Sequence, residues 1–307
     1  MPRFAATLLL TVGLLLVSVG CDNDLADTES VPDALATPPG WSLVWSDEFN
    51  DTSLDTTKWS YQLGDGCPDL CGWGNNELQF YDEESVSFKQ SEQVDSGVLV
   101  ITADREIADG DTSYSAARLR TFGKGDWTYG RFEVRAKLPE GQGMWPAIWL
   151  LFSEPTYGIW AASGEIDIME AVGNKPGEIF GTIHYGDEFP GNVFTGKERA
   201  LFSGDFSDEF YVFTTEWERV ERGRDEDGNV IEGVDIRWFV NNVPYFTLTE
   251  EDWFSTGSED PTAPFNHDFY MILNVAVGGN LPGPPDETTV FPQTMEVDYV
   301  RVYQRDA

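Results

Sequence analysis

Gly164-Glu-Ile-Asp-Ile-Met-Glu-Ala171 reads either as a strand or as a helix, and the choice decides the fold. On a strand, side chains at i and i+2 share a face, so Glu165 and Asp167 point the same way. Glu170, five residues beyond Glu165, falls on the opposite face of a regular strand. One extra residue, a β-bulge near Ile168 and Met169, returns all three carboxylates to one face. A helix serves less well: positions 165 and 170 would sit about 140° apart at ~100° per residue. Ile166 and Ile168 are also β-branched and suit a pleated strand. Because Ile166, Ile168 and Met169 alternate with the acids, the other face of this strand is buried and the acids are not simply solvated.

The rest of the chain has the same two-residue period. Segments 98–102, 129–138, 179–185, 211–217, 234–240, 269–277 and 295–303 alternate or run apolar, and Gly, Pro, Asn and Asp separate them. No long helical stripe occurs. Many short strands punctuated by turn residues predict an all-β sandwich of two packed antiparallel sheets.

Two carboxylates on one surface are the minimum equipment for glycoside hydrolysis. In a retaining mechanism they stand ~5–5.5 Å apart, one as nucleophile and the other as general acid and then base. Neighbouring negative charge raises the pKa of the acid partner so that it keeps a proton near neutral pH. Trp145 and Trp149, in Gly-Met-Trp-Pro-Ala-Ile-Trp-Leu-Leu (143–151), and Trp160 cluster around the acids. Pyranose rings present C–H faces that stack on aromatic rings, so Trp145 and Trp160 suit a sugar cleft. Trp149, amid Ile148, Leu150 and Leu151, fits core and cleft equally.

Composition narrows the partners and the compartment. The chain has 19 basic and 54 acidic residues, a net charge of -35. Such a surface repels nucleic acid, anionic lipids and sulfated or uronic polysaccharides, leaving a neutral polymer as the expected partner. Arg3, an apolar run from Phe4 to Val19, and Gly20-Cys21 have the three regions of an export signal over residues 1–20. Cys21 looks like a lipid-modified cysteine, which would make the protein an exported cell-surface or outer-membrane lipoprotein anchored only through that residue. Ser18 stands where an aliphatic residue is usual, so a plain cleaved signal and secretion form the alternative. Residues 21–40 are acidic, contain Pro and read as a flexible tether. Residues 41–307 carry no second linker and fit one large domain. Cys67 and Cys71, in Cys-Pro-Asp-Leu-Cys, form a candidate local disulfide in an exported protein. A zinc site would need further ligands, and His184 and His267 are the sole histidines.

The residues resemble a known family across 41–305. The segments carrying the resemblance are Leu-Val-Trp-Ser-Asp-Glu-Phe (43–49), Asn-Asn-Glu-Leu-Gln-Phe-Tyr (75–81), Ala-Arg-Leu-Arg-Thr (117–121) and Tyr-Gly-Arg-Phe-Glu-Val-Arg-Ala-Lys-Leu-Pro (129–139). They continue through the tryptophan segment at 143–151, Gly-Glu-Ile-Asp-Ile-Met-Glu (164–170), Thr-Ile-His-Tyr (182–185) and Asn-Val-Ala-Val-Gly-Gly-Asn (274–280). In these the chain resembles the bacterial laminarinases, the endo-β-1,3-glucanases of glycoside hydrolase family 16.

The resemblance implies a β-jelly roll whose concave sheet forms an open-ended cleft, and retaining cleavage of internal β-1,3-glucosidic bonds in laminarin-type glucan. By the same resemblance Glu165 is the nucleophile, Asp167 its modulator and Glu170 the acid/base. The five-residue spacing matches the bulged laminarinase version, whereas lichenases of the family use the regular spacing. Asn75, Arg118, His184 and Asn280 match polar cleft residues that hydrogen-bond sugar hydroxyls, and Glu77 and Gln79 would line the cleft edge. No cofactor is implied for catalysis, and the protein is expected to be a monomer. A structural calcium is implied at Glu48, Gly97 through its carbonyl, and Asp298, a hard-oxygen set. The competing readings are action on mixed-linkage glucan, agarose or carrageenan, and a non-catalytic glucan-binding protein. Segment 220–233 departs from the family's tight hairpin and reads as an extended charged hairpin or loop with a solvated Asp225-Glu-Asp-Gly turn.

Overall fold

The computed structural model describes residues 37–306. The signal segment 1–20, Cys21 and residues 21–36 of the tether lie outside the described residues.

The described chain is a sandwich of a ten-stranded and an eight-stranded sheet. The eight-stranded sheet carries the acids. Its main path runs Val193–Ala200, Glu178–Tyr185, Glu165–Glu170, Met144–Phe152, Phe269–Val277, Arg118–Arg120 and Ser60–Tyr61. The second sheet centres on Tyr211–Arg224, Gly130–Lys137 and Gln293–Arg305. All seven segments read as strands from their period are strands, and pairing is antiparallel except where Gln79–Tyr81 runs parallel to Asp111–Ala116. With almost no helix and two stacked sheets, the fold is the expected jelly-roll sandwich.

Strand Gly130–Lys137 shows why the sequence folds this way. Phe132, Val134 and Ala136 are completely buried between the sheets. Arg131 and Arg135 alternate with them and meet carboxylates on neighbouring strands, Arg131 with Glu216 at 2.6 Å and Arg135 with Asp298 at 2.9 Å. The interior carries many aromatics, and Trp59, Trp217, Trp238, Phe213, Phe265 and Phe269 are all fully buried. Truncating one such side chain to alanine typically costs ~3–5 kcal/mol. The core therefore makes the outer face of the acid-bearing sheet a rigid platform.

Two connections refine the sequence reading. Strands Tyr211–Arg224 and Val230–Val240 run on as a long hairpin whose turn is closed by Asp225, which accepts the N–H groups of Asp227 and Asn229 at 3.0 and 2.8 Å. The segment is thus an extended hairpin with a solvated aspartate turn. Strand Val193–Ala200 forms one edge of the acid-bearing sheet, mostly exposed and rich in Gly, Lys, Glu and Arg. An edge strand with little buried face has no alternation to betray it.

Candidate active site

The strand Glu165–Glu170 contains the bulge. Against Glu178–Tyr185, Glu165 faces His184, Asp167 faces Thr182 and Glu170 faces Phe180, so three residues on one strand span two on the other. On the other flank Asp167 faces Trp149 and Met169 faces Ile148, which leaves Ile168 as the unopposed residue. Ile166, Ile168 and Met169 are buried at 0, 2 and 0 % exposure, so the apolar side points inward through the irregularity. Such a bulge interrupts the ladder and leaves backbone groups in need of other partners. The carbonyl of Asp167 finds one in the indole N–H of Trp238, which reaches from the opposite sheet to 2.8 Å. Gly181 admits that ring, because a Cβ there would lie 2.6 Å from Trp238 Cδ1.

Each glutamate is held by a tryptophan. Trp160 Nε1 donates to Glu165 Oε2 and Trp145 Nε1 donates to Glu170 Oε1, both at 2.9 Å. His184 Nε2 stands 3.4 Å from Asp167 Oδ2 and 3.7 Å from Glu165 Oε1. Burial raises both Glu165 and Glu170 above the ordinary carboxylate range. Asp167 rises furthest, first through burial and then through the charges of Glu170 and Glu165. Burial by itself would lower His184, but the Asp167 carboxyl and the charges of Glu165, Asp167 and Glu170 push it up to about 9.

That imidazolium lowers both glutamates. In His184→Ala both should therefore titrate at higher pH than in the wild type. With Glu165 as the expected nucleophile and Glu170 as the expected acid/base, both limbs of the kcat/KM profile should move upward in pH. A pH–rate profile with unmoved limbs would show that His184 does not tune the pair.

Glu165, Asp167 and His184 are also the one group of metal-ligating side chains that lies close together among the described residues, their donor atoms within 4.8 Å of one another.

The cleft wall beyond Met144–Phe152 is built on polar supports. Trp149 donates to Asn274 Oδ1 at 2.8 Å, Asn274 donates to the Tyr81 hydroxyl at 3.3 Å, and Tyr81 donates to Glu77 at 3.2 Å. Gln79 donates to the same Glu77 carboxylate at 2.7 Å, and burial raises Glu77. The Arg118 guanidinium lies 4.7 Å from both the Trp73 and Trp149 rings. It stacks between them as a cationic spacer, worth ~0.5–2 kcal/mol per ring. Besides the sugar-bonding role expected of it, Arg118 lies against two tryptophans of the cleft wall. Trp149 is half-buried and faces Asp167 across the strand pair, on the acid-bearing side.

Asn75, Asn280 and Trp145 gather on the Glu170 side. The Asn280 N–H donates to the Asn75 carbonyl and its side-chain oxygen accepts from Asn76, both at 2.8 Å, while Gly279 lies directly against the Trp145 ring. The Cys67–Cys71 disulfide is formed, with Cα atoms 4.2 Å apart, in the loop that leads to Trp73. Trp73 and Asn274 were missed as site residues. An amide inside the otherwise apolar run 269–277 was the available signal for Asn274, whereas Trp73 in a glycine-flanked loop offered none.

The calcium set does not fit as arranged. Arg301 grips the Glu48 carboxylate at 2.7 and 2.9 Å, and Asp298 is held by Arg135 and Ser96. Both carboxylates thus already have cationic partners.

The sequence pattern of Glycosyl hydrolases family 16 matches residues 73–278. The chain is 40% identical over 297 residues to the glucan endo-1,3-beta-glucosidase A1 of Niallia circulans, covering 92% of this chain and 41% of that protein. It thus spans about two fifths of that relative's length. To the beta-glucanase of Rhodothermus marinus it is 38% identical over 305 residues, covering 96% of this chain and 94% of the relative. The X-ray structure of the laminarinase from Rhodothermus marinus aligns with a TM-score of 0.71 at 39% identity, covering 87% of this chain and 98% of that one. Since the family pattern runs through the bulged strand and the likeness extends over nearly all of the described residues, this protein belongs to glycosyl hydrolases family 16.

Proposed function

We propose that this protein is an endo-β-1,3-glucanase that hydrolyses laminarin-type glucans by a retaining double displacement. The observation that carries the reading is the bulge, which puts Glu165 and Glu170 on one face with a tryptophan N–H on each. The relatives named as endo-1,3-beta-glucosidase and laminarinase support the substrate. The strong net negative charge supports a neutral polymer over a sulfated one.

In the first step the Glu165 carboxylate attacks the anomeric carbon while protonated Glu170 gives its proton to the departing glycosidic oxygen, forming a glycosyl–enzyme ester. In the second, Glu170 takes a proton from water, which attacks the same carbon and restores the carboxylate. Asp167, between the two on the strand and 3.4 Å from His184 Nε2, acts as the modulator of Glu165. Trp160 and Trp145 orient the carboxylates, and Asn75, Asn280 and Trp149 line the path of the sugar chain. Export through residues 1–20, lipidation of Cys21 and action as a monomer at the cell surface belong to the same proposal; intact-mass analysis of the mature protein tests the lipid directly.

Purified protein incubated with laminarin, lichenan, agarose and carrageenan tests the substrate. Reducing ends should form fastest from laminarin, with lichenan second. Release from agarose or carrageenan alone would overturn the reading.

A further inference from the structure

One exposed aromatic ring stands in line with the catalytic acids yet takes no part in the chemistry. Cross-strand register places Glu165 opposite His184 and His184 opposite Phe194, so the three share one row on one face of the sheet. Phe194 lies on the edge strand Val193–Ala200 and is 70% exposed, where a polar residue would be usual for an edge. The rings form a ladder: Trp160 to His184 is 5.7 Å between centroids, and His184 to Phe194 is again 5.7 Å. Trp160, at the head of the ladder, is the residue that donates to Glu165.

The ground beside Phe194 is kept clear. The next residue of that strand on the same face is Gly196, where a Cβ would meet the Thr182 hydroxyl at 2.7 Å, so no side chain rises there to cover the ring. Phe194 is two strand spacings from the catalytic strand, about 10 Å. It lies on the opposite side of that strand from Trp149 and Trp73. A chain crossing Glu165 thus meets aromatic surface on both flanks.

We propose that Phe194 is a sugar-stacking platform, a binding subsite for a pyranosyl unit of a neutral β-glucan beyond His184 from the cleaved bond. The proposal rests on the glucanase reading and extends it. The apolar ring contributes area and C–H contact without charge, which suits a neutral sugar and confers no preference for an anionic one. It grips only chains long enough to reach it and favours internal cleavage of long polymers over trimming of short ones.

The test compares wild type, Phe194→Ala and Phe194→Tyr on laminarin and on a ladder of β-1,3-gluco-oligosaccharides of increasing length. For Phe194→Ala, kcat/KM should fall about 3- to 10-fold on laminarin and the longer oligosaccharides. The loss should appear in KM, vanish for the shortest cleaved oligosaccharide, and leave the pH–rate profile in place. Phe194→Tyr should behave as wild type. An equal loss at every chain length, a displaced pH profile, or no loss at all would overturn the platform, the first two by making Phe194 only a support for His184. Failure of the wild type to cleave any β-glucan would instead overturn the glucanase reading beneath it.

Discussion

Glu165→Ser should lose roughly 10^4-fold or more of kcat on laminarin while still binding it, because it removes the carboxylate proposed to attack the anomeric carbon. The serine hydroxyl is shorter and carries no charge, and the Trp160 N–H that now meets Glu165 Oε2 would face the space the carboxylate leaves. That space accepts a small anion. Added formate or azide should therefore restore turnover by attacking from the vacated face, and the product should carry the anion in the α configuration. The fold should survive, since Ile166, Ile168 and Met169 bury the strand's other side independently of the acids. Burial also raises Glu165 in the folded state, so ionising it opposes folding as pH rises through that value. The variant should accordingly melt no lower than wild type at neutral pH. A variant retaining full activity would remove Glu165 from the chemistry.

Glu170→Gln should reveal the complementary role. A carboxamide keeps an oxygen to accept the Trp145 N–H, so the local hydrogen bond persists, but it has no acidic proton for the leaving oxygen. The expected loss on laminarin is about 10^2–10^4-fold in kcat/KM. An aryl β-glucoside with a good leaving group needs little protonation, so glycosylation of the enzyme by that substrate should be nearly spared while hydrolysis of the intermediate stays slow. The alkaline limb of the pH–rate profile should disappear with Glu170, since burial and the Glu165 charge hold this carboxyl protonated above its ordinary range in the wild type. Equal losses on laminarin and on the activated aryl substrate would assign the proton to another group.

Much of this site could be read in the sequence because it is encoded locally. The period of two in 130–137 and the nearly continuous apolar run of 269–277 are direct traces of buried strands, and the i, i+2, i+5 spacing of the acids demands a bulge if all three are to share a side. What the sequence hid is encoded across the sheets. The Trp238 indole that caps the Asp167 carbonyl comes from the opposite sheet, and Gly181 matters only because that ring passes beside it. Trp145 and Trp160 were legible as cleft aromatics, but their N–H donation to the two glutamates depends on how the loops close. Arg118 was legible as a polar cleft residue, but its contact with the Trp73 ring depends on a loop some forty residues away in sequence. The arginine partners of the expected calcium residues were hidden in the same way, as the arginines that hold Glu48 and Asp298 sit on strands the acids do not share a motif with.

Proton NMR of the anomeric signals during laminarin hydrolysis tests the paired roles of Glu165 and Glu170 most directly. With the nucleophile and the acid/base on one face of the bulged strand, the β-anomer of the new reducing end should appear first and the α-anomer should follow only by mutarotation. First appearance of the α-anomer would mean a single displacement by water, and Glu165 could not be the nucleophile.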